Sequence, residues 1–106
     1  MKQYTIPYQT AKLIELGVEK PKGLADAEPS SGVWVRPAYS VGELIGMLPQ
    51  FMDFDDGRWS LSIESDPFKV NGTWWVFYAP RDYIESVELI DAIFAMVVKL
   101  KEEGVI

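Results

Sequence analysis

The sequence has no histidine and no cysteine in its 106 residues, and each absence removes a class of chemistry. Without imidazole or thiol there is no Ser-His or Cys-His nucleophile, no thiolate redox centre and no zinc site of the usual ligand types. No disulfide can staple the fold, which agrees with an expected cytoplasmic location. Long apolar runs are lacking too. The longest, Ala92 to Val98, meets Lys99 at once and falls far short of the ~20 residues a membrane span needs, so no membrane association is expected. The segment Met1-Lys2-Gln3-Tyr4-Thr5 carries one cation with no apolar run behind it, so no secretory signal is expected. Basic residues are few, 10 against 16 acidic ones, for a net charge of −6. They are scattered along the chain, and phosphate recognition needs them clustered, so nucleic acid is not an expected partner.

Signatures of catalysis are missing as well. No Gly-Lys-Ser/Thr cradle follows a strand, Gly42 and Gly46 lie within a short helix, and no Ser-x-x-Lys spacing occurs. Asp53-Phe54-Asp55-Asp56-Gly57 is the densest acidic cluster, and Glu64 falls where the twelfth position of a calcium loop would be. Gly57 then takes the fifth position, where a ligand is wanted, and Arg58 the sixth, where the turn needs glycine. The cluster is therefore read as a solvated turn, and no metal and no cofactor are expected. Nothing distinguishes one carboxylate as buried and another as exposed, as paired acids in a glycosidase would require.

What is present supports a packed core. The hydrophobic fraction is 48%, with four tryptophans, and a chain of this length buries roughly two-thirds of its unfolded surface. A single domain over residues 1–106 is expected.

The pattern along the chain predicts an α+β fold. Pro7 and the apolar residues Ala11, Leu13, Ile14 and Leu16 give a helix over 6–16, stopped at Gly17 with Val18 closing onto Leu13. Residues 19–32, rich in Pro, Gly and Ser, are read as a long loop. Val33-Trp34-Val35-Arg36 is a short edge strand closed by Pro37. Ser40 and Glu43 form a capping box, with Tyr39 stapled onto Leu44, for a helix over 41–48 that Pro49 stops.

Trp59, Leu61 and Ile63 alternate with Ser60, Ser62 and Glu64, the period of a strand with one wet face. Asn71-Gly72 turns the chain into a partner strand, giving an antiparallel hairpin over 59–65 and 73–79. The last helix covers 87–103, with Ile90, Ile93, Phe94, Val97 and Leu100 on one face and Leu89 and Met96 widening it. Asp82 and Ser86 compete as its cap, and Gly104-Val105 repeats the Gly17-Val18 stop. A small antiparallel sheet with helices on one face follows.

The segments Leu13-Ile14-Glu15-Leu16-Gly17 and Pro37-Ala38-Tyr39-Ser40-Val41-Gly42-Glu43-Leu44-Ile45-Gly46-Met47-Leu48-Pro49 resemble those of small uncharacterised proteins carried by bacterial prophages and other mobile elements. The last helix and the Glu103-Gly104-Val105-Ile106 tail are similar too. The resemblance implies an accessory gene acting in a bacterial cytoplasm. It carries no activity and no catalytic residue.

One feature of the hairpin needs a use. In the strand from Thr73, alternation sends Trp75 and Phe77 to one face and Trp74, Val76 and Tyr78 to the other, so both faces are apolar. The expectation is that Trp74 and Tyr78 face outward beside Ser60, Ser62 and Glu64, with Trp34 nearby, as a contact surface for another protein or a second copy of the chain. The competing expectation is that Trp34 or the 19–32 loop folds over this face and buries it. The functional expectation is a noncatalytic accessory interaction domain or homodimer. The alternative is a small-ligand or sugar-binding domain that uses exposed aromatics, with or without weak enzymatic activity.

Overall fold

A computed structural model describes residues 3–26, 35–54, 57–66, 73–78 and 82–106. In chain order the elements are α1 (Pro7–Glu15), β1 (Gly23–Asp26), β2 (Val35–Ala38), α2 (Val41–Met47), β3 (Phe51–Phe54), β4 (Gly57–Ser60), β5 (Ser62–Asp66), β6 (Thr73–Tyr78), β7 (Asp82–Ser86) and α3 (Leu89–Glu102). All pairings are antiparallel: a β1–β2 ribbon, a β3–β4 ribbon and a three-stranded sheet in the order β5-β6-β7. The fold is α+β, as the sequence pattern predicts.

Helix ends follow the local signals. Pro7 opens α1, and Gln9 Oε1 accepts from Ile6 N–H at 3.0 Å. At its far end Gly17 adopts φ +87°, with Val18 N–H bonded to Leu13 O and Gly17 N–H to Ile14 O. The same pair of bonds closes α3, where Gly104 has φ +76°, Val105 N–H reaches Leu100 O and Gly104 N–H reaches Lys101 O. A glycine bears this left-handed turn without a Cβ clash. The Ser40–Glu43 capping box starts α2.

The core lies where α3 packs on β6, β7 and α2. Leu89, Ile90, Ile93, Met96, Val97 and Leu100 of α3 are buried with Leu13, Tyr39, Leu44, Val76 and Tyr78. Cross-strand neighbours Ile63, Val76 and Ile84 face this helix in one row. Burying such side chains is worth about 1.5–3 kcal/mol each, which makes α3 and the sheet the energetic centre.

A polar seam joins α1 to the rest. The Thr5 and Thr10 hydroxyls meet at 2.6 Å, and Thr5 Oγ1 accepts from Tyr39 N–H at 3.0 Å. Gln9 Nε2 donates to Asp91 of α3 at 2.7 Å. The seam changes which face of α1 is inside. Gln9, Thr10 and Leu13 are buried, while Ala11 and Ile14 of the expected apolar face are exposed.

Five expectations need correction. The 19–32 loop is not structureless, because β1 lies within it and pairs Leu24 with Pro37 and Ala25 with Arg36. The strand expected over 33–36 runs over Val35–Ala38, passing through Pro37 rather than ending there; Trp34 lies outside the described residues. The acidic cluster Asp53–Gly57, expected as a solvated turn, falls in the β3–β4 ribbon, with Phe51 opposite Ser60 and Asp53 opposite Arg58; Asp55 and Asp56 lie outside the described residues. The hairpin strand expected from residue 59 divides at Leu61, whose N–H bonds Gln50 O at 2.8 Å. Its first part belongs to β4 and its second, β5, pairs Ser62 with Phe77.

Finally, Asp82 and Ser86 do not cap the last helix. They bound β7, and α3 begins after Glu88 without a side-chain cap bond. Pairing with β6 satisfies the backbone of residues 82–86 as a strand, so tertiary hydrogen bonding overrides the local capping signal. The Asn71-Gly72 turn lies outside the described residues.

Candidate functional site

The expected contact surface does not form as the sequence suggested. Tyr78 is fully buried, and its hydroxyl donates to Pro49 O. Trp74 is half-buried and packs against the same core. Trp74, Val76 and Tyr78 therefore make up the inner face of β6, turned toward α3. The reason is the register with β7: Val76 stands opposite Ile84 and needs the apolar cover that α3 supplies. Ser62 and Glu64 do lie on the open side, Ser62 half-buried and Glu64 exposed. The aromatics beside them are Phe77 and Trp75.

Ser60 is exposed too, but it belongs to a different surface. On the β3–β4 ribbon, Met52 and Trp59 face the core, so the pleat turns Phe51, Ser60, Asp53 and Arg58 outward. Phe51 is 54% exposed. Arg58 Nε donates to Asp53 Oδ1 at 2.8 Å, and its guanidinium lies 5.6 Å from the Phe51 ring centroid. The bonded guanidinium holds the Asp53 carboxyl below the usual carboxylate range.

Between this face and α2 lies an open groove of about 490 Å³, lined by Ile45, Gly46, Leu48, Gln50, Phe51, Ser60 and Leu61. The capping box positions α2 beside the ribbon, and Leu44 and Leu48 anchor it inward. Gly46 is exposed, while Ile45 is half-buried, packing against the core and lining the groove with its remaining surface.

Two further depressions adjoin α2. Gly46 and Met47 also line a depression of about 260 Å³ against Glu19, Lys20, Lys22 and Glu43. Met47 and Glu19 in turn line a third, of about 230 Å³, with Val18 and Ile106. The three adjoin through these shared residues and are referred to together as the trough beside α2.

One carboxylate shapes the middle of that trough. Glu43 accepts from Lys22 N–H and Gly23 N–H at 3.0 Å each and from Ser40 N–H at 3.3 Å. Beside it the Tyr39 hydroxyl donates to Glu19 O at 2.6 Å. Burial, then the nearby Glu43 and Glu19 carboxylates, push the Tyr39 phenol above its ordinary range, so it stays a donor at neutral pH.

Chemically, the 490 Å³ groove offers apolar surface and two neutral polar side chains, Gln50 and Ser60, with no titratable group among the described residues that line it. It is suited to covering apolar side chains. Phe51, Ile45 and Met47 were not among the residues expected to form a site. The signal that points to Phe51 is the alternation Phe51-Met52-Asp53-Phe54 ahead of Asp56-Gly57, a short-hairpin pattern. For Ile45 and Met47 no local signal separates a groove residue from a core residue. No known protein family, curated protein or solved structure matches the chain.

Proposed function

We propose that this chain is a noncatalytic protein-interaction domain whose docking surface is the trough beside α2, bounded at one end by Phe51. The observation that carries this reading is that three depressions adjoin one another through the shared lining residues Gly46, Met47 and Glu19. Phe51 stands exposed at the apolar end. An aromatic in this setting is a typical anchor for a partner side chain. The net charge of −6 favours encounter with a partner segment that carries basic residues around its apolar anchor. On the same reading the protein is an accessory product of a prophage or other mobile element in the bacterial cytoplasm, as the sequence resemblance implies.

Affinity capture from lysate of the source cell tests the reading, with wild type compared against Phe51→Asp and Tyr8→Asp. Tyr8 is 71% exposed on α1 and serves as a control away from the trough. The expected result is a partner lost with Phe51→Asp and retained with Tyr8→Asp. A partner retained by both variants would refute the trough as the surface. A dimer of the purified protein that only Phe51→Asp dissociates would identify the occupant as a second copy. The groove volume also lies within the range of small-ligand sites, which supports ligand binding as the second reading. A midpoint rise with a sugar or small metabolite, absent in Phe51→Asp, would establish it.

A further inference from the structure

We propose that Arg36 is an oxyanion receptor, whose guanidinium on the inner face of the β1–β2 ribbon takes an oxygen of a small carboxylate or phosphate ligand. The register of the ribbon fixes which side chains share that face. Gly23 stands opposite Ala38 and Ala25 opposite Arg36, so these four positions point to one side. It is the inner side, because Ala25 and Ala38 are buried, whereas Leu24 and Pro37 on the other side are exposed. The Tyr4 ring covers it at the Gly23 end, where Tyr4 Cε1 would lie 3.1 Å from a Cβ on Gly23. Arg36 is thus the one long side chain on a face otherwise made of glycine and alanine.

The guanidinium is not satisfied from within. Arg36 is half-buried, and its Nη1 is sealed from solvent with no hydrogen-bond acceptor among the described residues. Glu43, whose Oε1 reaches this face beside Gly23, already accepts from the Lys22, Gly23 and Ser40 amides at the far end of the ribbon. Buried donors without an acceptor are rare in folded proteins, and a charged one costs more than a neutral one. A guanidinium does not shed its proton to escape that cost, and an apolar side chain of similar length would avoid it. The charge is therefore explained by what it binds. Its paired N–H groups match the oxygens of a carboxylate or phosphate. A chain of net charge −6 repels polyanions, which makes the ligand a small anion rather than a nucleic acid. Arg36 lines none of the three depressions of the trough, so the inference does not rest on the docking reading.

Thermal melts of the full chain test the assignment, with acetate or inorganic phosphate titrated against chloride at constant ionic strength and pH 7. Wild type is compared with Arg36→Met, Arg36→Lys and Glu28→Gln, the last removing a carboxylate that lies outside the described residues. In chloride, Arg36→Met is expected to melt at or above wild type, since it removes a charge left without an acceptor. An anion at tenfold its Kd should multiply the wild-type folding equilibrium by about elevenfold, which raises the midpoint by about 6 °C. Arg36→Met should show no such rise. Arg36→Lys, which keeps the charge without the fork, should show a smaller one. The probe that gives the larger rise names the class of ligand. A wild-type midpoint that neither anion moves would overturn the proposal, and so would an equal rise in Arg36→Met, the mark of a general salt effect and an adventitious ion only. A fall of Arg36→Met in chloride would overturn it as well, because the fold would then supply the acceptor itself, and a matching fall in Glu28→Gln would name that acceptor.

Discussion

Truncating Tyr78 decides between the two faces of β6. The ring is fully buried beside Val76 and the α3 residues, and its hydroxyl caps the Pro49 carbonyl. Tyr78→Ala removes the ring from a packed site, a change that costs about 3–5 kcal/mol in protein cores, and it also leaves Pro49 O without its donor. Unfolding entropy near 2.1 cal/mol/K per residue gives about 0.2 kcal/mol/K for a chain of this length, so each kcal/mol moves the thermal midpoint by about 4–5 °C. The expected fall is therefore about 13–22 °C. Tyr78→Phe keeps the ring and loses one hydrogen bond, worth about 1 kcal/mol and about 5 °C. Thermal melts followed by circular dichroism, with urea unfolding as a second measure, give both numbers. A Tyr78→Ala midpoint within about 2 °C of wild type would mean that the ring faces solvent, and the inward assignment of Trp74, Val76 and Tyr78 would fall with it.

Gly23→Ala should destabilise the protein by about 1–3 kcal/mol, because the new methyl meets the Ala38 carbonyl at 2.8 Å and backbone there cannot swing aside; a neutral urea midpoint would refute the close approach. Asp53 gives a pH prediction. Arg58 lowers its folded pKa, so its stabilising contribution is complete above the unfolded value of about 3.9 and is lost as pH falls through the lower folded value. Wild type should thus exceed Asp53→Asn in urea midpoint at pH 6 by a small margin. Both partners are mostly exposed, so the margin should shrink in 1 M salt, where screening is strong, and vanish as the carboxyl protonates. A margin that persists at low pH would refute the assignment to this pair.

Local signals located much of the fold. Ser40 with Glu43, Pro7, and the glycines at 17 and 104 set helix ends because capping and left-handed turns involve only near neighbours in the chain. The alternation of Trp59, Leu61 and Ile63 with Ser60, Ser62 and Glu64 marked Ser60 and Glu64 as exposed positions, but they fall on two strands, β4 and β5, and Ser62 is half-buried. The apolar breadth of α3 announced a helix that would be covered on most sides. Strand β7 was hidden because Asp82, Glu85 and Ser86 read equally well as caps, and only pairing with β6 chooses between the two. Strand β1 was hidden in a Pro- and Gly-rich stretch whose pairing with β2 needs residues brought from across the chain.

The trough was legible only at Phe51, through the Asp56-Gly57 hairpin pattern. Ile45 and Met47 carry the composition of core residues and do pack against the core, but they stay half-buried because Leu44 and Leu48 take the fully inward positions. The sequence by itself determined where α1 and α2 start and where α1 and α3 stop, since these depend on interactions within a few residues, whereas the start of α3 was set by the pairing of β7 with β6. Which apolar face of β6 is buried, and which carboxylate reaches the Lys22 and Gly23 amides, were decided by tertiary structure. Both depend on register and on the placement of α2 and α3, and these are set by contacts between residues far apart in the chain.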